Sequence, residues 1–147
     1  MKISNEIINI FPEIKKWRHE LHAHPELGYE EKWTSNFVAE KLESFGLEIH
    51  RGMATTGVVG VLKGANASLG GGGNKAIGLR ADMDALPMTE ENDFSYKSKF
   101  DGRMHACGHD GHTAMLLGAA KLLSSKKDFD GTVYFIFQPA EEGGGGG

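Results

Sequence analysis

Apolar residues recur at helical spacing over residues 13–23, where Ile14, Trp17 and Leu21 stand at i, i+3 and i+7 among Lys15, Lys16, Arg18 and Glu20. This predicts an amphipathic helix. Ile7, Ile8 and Phe11 extend the stripe toward the N-terminus, with Pro12 expected in a first turn or at a kink. The helix should end near His24, because Pro25 disfavours helical geometry at the residue before it. A second stripe, Phe37, Val38, Lys41, Leu42 and Phe45, predicts a helix over residues 32–45 with Gly46 as its stop.

The period then shortens. Residues 47–50 alternate, residues 57–62 form a short apolar run, and both read as strands. Residues 65–74, with Gly70 to Gly73, read as a flexible hairpin loop leading to a strand over residues 76–81. Residues 88–104 are polar and without period. Met115, Leu116, Ala119, Leu122 and Leu123 predict a helix over residues 110–124, and a last strand covers residues 131–138. The order predicts an α/β fold, a sheet with helices packed on it. Ligand sites in such sheets collect beyond the carboxyl ends of strands.

Composition narrows the class. The chain has 147 residues and a net charge of −4, with 39% hydrophobic and 24% charged residues, which suits a globular domain and not a disordered one. No basic block favours nucleic acid, and no apolar run reaches the ~20 residues of a membrane span. The start lacks the apolar core of a signal peptide, so the cytoplasm is the expected compartment. The single cysteine excludes an internal disulfide and a four-cysteine zinc site. The chain stops at Glu141-Glu142 and five glycines just after an apolar strand, which suggests the front part of something longer.

Three clusters carry candidate chemistry. The richest is His105-Ala106-Cys107-Gly108-His109-Asp110-Gly111-His112. Cys107 and His109 are two apart in an expected loop and can turn to one point, and thiolate with imidazole suits zinc. The plain alternative is a polar loop whose Asp110 caps the next helix, beside an inert cysteine. His105 and His112 could be ligands, outer hydrogen-bond donors or substrate contacts. In the pair Glu141-Glu142, one carboxylate can fix an ion while the other takes a proton from water; two solvated surface charges are the alternative. Asp82 and Asp84 share a side of a strand end and could orient a histidine behind a metal, or be simple loop acids beside Pro87. His19 and His22, at i and i+3 of a helix, could chelate a metal weakly; the plainer reading is that His19, His22 and His24 are exposed or lightly packed. Cys107 as a covalent nucleophile with a histidine base is a further alternative. The glycine run lacks the strand–helix context of a phosphate loop.

Four segments in this order, Trp17-Arg18-His19-Glu20-Leu21-His22-Ala23-His24-Pro25-Glu26-Leu27-Gly28, Leu79-Arg80-Ala81-Asp82-Met83-Asp84-Ala85-Leu86-Pro87, Met104 to His112, and Phe137-Gln138-Pro139-Ala140-Glu141-Glu142-Gly143, resemble the M20 metallopeptidase family. Within it they are similar to the amidohydrolase branch of hippurate, N-acyl-amino-acid and auxin-conjugate hydrolases. The resemblance implies residues 1–147 as the N-terminal portion of one zinc-peptidase-like catalytic domain, a mixed sheet flanked by helices. It implies two divalent ions, zinc or manganese and also cobalt. Cys107, His109 and Glu142 would be metal ligands, Cys107 bridging the ions. Glu141 would be the general base, and Asp84 would support the ligands from behind; Asp82, His105 and His112 receive no role from it. The implied substrate is a small N-acyl amino acid, with neither nucleic acid nor membrane as partner. Family members continue past the glycine run with two further histidine ligands, a lid and dimerisation domain and returning strands. The oligomeric state of this chain therefore stays open. An inactive remnant with weak metal binding is the alternative expectation for the 147 residues alone.

Overall fold

The computed structural model describes residues 3–66, 75–143 and 145. Its elements are α1 (Asn5–His22), α2 (Lys32–Ser44), β1 (Glu48–Met53), β2 (Gly57–Lys63), β3 (Ala76–Asp82), α3 (His109–Lys126) and β4 (Thr132–Gln138). Ser4 caps α1 by accepting the Ile7 N–H, so the helix begins well before residue 13. Pro12 therefore lies inside the helix and not in its first turn. Ile7, Ile8 and Phe11 are exposed and do not extend the buried stripe, which starts in earnest at Trp17.

The four strands form one mixed sheet in the order β1-β2-β4-β3. β1 pairs antiparallel with β2, and β2 antiparallel with β4, while β3 runs parallel to β4. The expected hairpin across residues 65–74 is thus corrected. β2 and β3 are not partners, because β4 lies between them. The physical reason is visible in β4, whose Val133-Tyr134-Phe135-Ile136-Phe137 run suits a central strand with neighbours on both edges. Residues 67–74 of that loop, and Gly144, Gly146 and Gly147 of the terminal glycine run, lie outside the described residues.

Trp17 and Leu21 of α1, Val38 and Leu42 of α2, and Ala114, Leu117 and Ala120 of α3 share one core with Val58, Leu62, Phe135 and Phe137 of the sheet. The alternate residues Tyr134 and Ile136 of β4, with Ile77 of β3, point away from that core and are exposed. Among the described residues β3 pairs only with β4, leaving its outer edge open.

This topology positions the site. Asp82 of β3 stands opposite Gln138 of β4, and the Met83 N–H continues the pairing by donating to the Gln138 carbonyl at 3.0 Å. Two parallel strands therefore release Asp82–Asp84 and Glu141–Glu142 at the same sheet edge. The N-terminus of α3 delivers His109 to that edge as well.

Candidate metal centre

Helix α3 begins one residue earlier than the apolar pattern indicates. Gly108 is its N-cap with φ +88°, a left-handed conformation that glycine takes without steric cost. Cys107 thus stays in the loop while His109 opens the helix, and the sharp turn at Gly108 lets both face one point. Their Sγ and ring nitrogen lie with a Glu142 carboxylate oxygen within 4.8 Å of one another.

His109 is buried and its ring orientation is set by hydrogen bonds. Nδ1–H donates to the Asp84 carbonyl at 2.9 Å and lies 3.3 Å from Asp84 Oδ1. That tautomer leaves Nε2 with a free lone pair. Nε2 faces Asp82 Oδ1 at 3.5 Å, Glu142 Oε1 at 3.6 Å and Glu141 Oε2 at 3.7 Å. A lone pair ringed by carboxylates at these distances forms no normal hydrogen bond, and a divalent cation among them would turn the repulsion into attraction.

Cys107 agrees with this. Its thiol donates to the Glu142 carboxylate, and that bond, with burial and the charges of Glu142, Glu141 and Asp82, pushes its pKa up to about 11. With no cation the thiol and carboxylate share a proton; a cation would take the proton's place and hold the thiolate. Thiolate, imidazole and carboxylate together form a donor set that fits zinc and admits other first-row divalent metals.

Asp84 is fully engaged. Beyond His109 it accepts the Glu142 N–H on Oδ2 at 2.9 Å, tying the start of α3 to the Glu142 turn. Asp82 accepts from His112 Nδ1 at 2.7 Å and from the Arg80 guanidinium at 2.9 Å. Burial would raise its pKa, but the His112 bond and the Arg80 charge hold it below the usual carboxylate range. Asp82, His109 and His112 form a second group of closely spaced donor atoms around the same imidazole.

Other candidates go elsewhere. His105 is buried with neither ring nitrogen bonded, and burial pushes its pKa down to about 4, so it is neutral and stands outside both donor groups. Asp110 is not a helix cap: its carboxylate accepts from His22 Nδ1 at 2.8 Å and Arg18 Nε at 3.1 Å. His24 stacks on Trp33 and bonds the Glu20 carbonyl, and His19 stacks on Tyr96.

The expectation that His22 is exposed or lightly packed is corrected. It is buried and lies between Asp110 and Glu90, whose Oε1 accepts from Nε2 at 3.0 Å. Sequence alone missed this because the partners sit 88 and 68 positions away. Phe94 and Tyr96 meet the ring edge-on, and His105 packs alongside. The Asp110 bond raises the His22 pKa against the pull of burial, with Glu90 adding to the rise. A raised folded pKa stabilises fully below about 6.5 and the benefit is lost as pH rises through the folded value. Asp110 and Glu90 are held below their usual pKa, so their contribution disappears only at acid pH. His22→Gln is expected to cost about 2 kcal/mol near pH 6. In urea melts across pH, that gap should narrow as pH rises; a pH-independent gap would show that His22 is not charged.

The sequence profile of peptidase family M20/M25/M40 matches residues 78–147. The chain is 51% identical over 146 residues to a hippurate hydrolase of Campylobacter jejuni, covering 99% of this chain and 36% of that protein. It is 49% identical over 143 residues to an N-acyl-L-amino acid amidohydrolase of Geobacillus stearothermophilus, covering 93% of this chain and 37% of that one. The crystal structure of the Bacillus subtilis YXEP protein, described as a dinuclear metal binding peptidase from the M20 family, superposes with a TM-score of 0.83. The two share 41% identity over 92% of this chain and 37% of that one. The chain thus spans little more than a third of the length of these relatives. With their fold and sequence agreement along nearly its whole length, the chain is similar to M20 metallopeptidases over about a third of their length.

Proposed function

We propose that residues 1–147 form the N-terminal portion of the catalytic domain of a cytoplasmic, metal-dependent hydrolase that cleaves the amide bond of small N-acyl amino acids. The observation that carries this reading is the His109 lone pair facing three carboxylates beside a cysteine thiol. Cys107, His109 and Glu142 would hold the metal, with a second ion and the remaining ligands completed from outside this chain. Zinc or manganese fits the donors best, and cobalt is also admitted. When bound, a divalent cation supplies Lewis acidity toward water and the acyl carbonyl.

The residues of the chain do the rest. Asp84 fixes the His109 tautomer so that Nε2 presents its lone pair. Glu141 stands beside the three ligands with its side chain 41% exposed, within reach of a water at the site. It removes a proton from that water as oxygen adds to the acyl carbon. It then passes the proton to the amine nitrogen as the C–N bond breaks. The products are a carboxylic acid and a free amino acid. Among the described residues no helix is long and apolar enough to cross a membrane.

The protein expressed from its full reading frame should release amino acid from N-benzoylglycine or N-acetyl amino acids. Exhaustive chelation should abolish this, and Zn²⁺ or Mn²⁺ should restore it. Hydrolysis that survives chelation would overturn the reading and favour the cysteine nucleophile.

A further inference from the structure

The turn that carries Glu141 and Glu142 is held in an unfavourable backbone shape. Ala140 has φ +51°, in the left-handed region that residues with a Cβ rarely adopt, and it is fully buried. Something must keep it there. Its N–H donates to Oε1 of Glu31 at 2.8 Å across 109 positions of sequence. Glu31 is itself fully buried, and its Oε2 accepts the Thr56 hydroxyl at 2.6 Å. Glu31 also occupies the N-cap of α2 but makes no side-chain cap there, because the carboxylate is spent on Ala140 and Thr56. Burying a carboxylate against two neutral donors is costly, and an apolar residue would fill the space without that cost. On the far side of Glu141, the Glu142 N–H is bound by Asp84. The amides before and after Glu141 are therefore each gripped by a buried carboxylate. Gly28 completes the clamp, since a Cβ there would lie 3.0 Å from the Ala140 Cβ.

We propose that Glu31 is a positioning residue, which holds Ala140 in its left-handed shape and thereby aims Glu141 at the water and Glu142 at the metal. This rests on the hydrolase reading above. Glu31 touches neither substrate nor ligand atoms and acts only through the backbone of the turn. A merely structural Glu31 would change the melting temperature and the yield of folded protein, but not turnover per bound metal.

The test uses Glu31→Gln and Gly28→Ala in the protein expressed from its full reading frame. The glutamine keeps the shape but offers the Ala140 N–H and the Thr56 hydroxyl a neutral acceptor with one oxygen in place of a charged one with two, so the grip on the turn weakens. The alanine would press its Cβ against Ala140 while leaving Glu31 intact, so it reports on the turn even if Glu31→Gln folds poorly. Both are expected to lower kcat per bound metal, and to weaken Zn²⁺ binding in chelator competition, by about 10–100-fold. KM should stay within about twofold, as expected when only the aim of Glu141 and Glu142 changes. If folded Glu31→Gln keeps kcat and Zn²⁺ affinity within about twofold of the unaltered protein, the inference is overturned whatever Gly28→Ala does, and if Glu31→Gln does not fold an unchanged Gly28→Ala overturns it; in both cases the hydrolase reading stands on the unaltered protein's turnover. If the unaltered protein hydrolyses no amide, the hydrolase reading fails, and the Zn²⁺ competition alone decides whether Glu31 grips the Glu142 turn.

Discussion

Glu141→Gln is expected to lower kcat by about 10²–10⁴-fold without changing metal content, because glutamine keeps the size of the side chain and loses only the ability to take a proton. The structure separates this residue from its neighbour. Cys107, His109 and Glu142 make the close donor group, whereas Glu141 stands at its margin, 3.7 Å from His109 Nε2. Its side chain is also more exposed than that of Glu142, at 41% against 24%, which suits a group that must reach water and then a leaving amine. The fold should not notice the change, since no core contact depends on it. Steady-state kinetics and metal analysis on the same preparation check both halves. A parallel fall in metal content would make Glu141 a ligand, and an unchanged kcat would place the base elsewhere.

Cys107→Ser should weaken metal binding by more than about 100-fold, because even outer partners of a ligand cost about 10–100-fold when removed. A hydroxyl is a far poorer donor than a thiolate for zinc or cobalt. The cobalt-loaded protein offers a direct optical readout: the near-ultraviolet charge-transfer band of a cobalt–thiolate bond should be present before the change and absent after it. A nucleophilic Cys107 predicts the opposite pattern, with activity abolished and metal affinity intact. The Glu142 bond pushes this thiol's pKa up rather than down, the opposite of what an activated thiolate nucleophile needs.

Much of this site is legible in the sequence because its chemistry is local. Cys107 and His109 are separated by one glycine, Glu141 and Glu142 are adjacent, and each cluster follows a strand or opens a helix. What periodicity cannot show is which strands become neighbours. β4 enters the sheet last in sequence yet sits between β2 and β3, and only that insertion brings Asp82–Asp84 alongside Glu141–Glu142. The start of α3 differs by a single residue for a local reason, the left-handed Gly108, which apolar spacing does not register. Buried charges were the least readable. His22 looks like one of several helix-face histidines, and Glu31 like one of three adjacent charges at a helix start. Each is buried because of a partner far along the chain, Asp110 for His22 and Ala140 for Glu31. Long-range pairing of this kind leaves no mark on local hydrophobic pattern.

The central claim is that one metal ion is held jointly by the thiolate of Cys107, the imidazole of His109 and the carboxylate of Glu142. X-ray absorption at the zinc edge of the zinc-loaded protein tests it most directly. The account predicts one sulfur neighbour at about 2.3 Å together with nitrogen and oxygen neighbours near 2.0 Å, and loss of the sulfur signal in Cys107→Ser. A zinc environment of nitrogen and oxygen alone in the unaltered protein would contradict it.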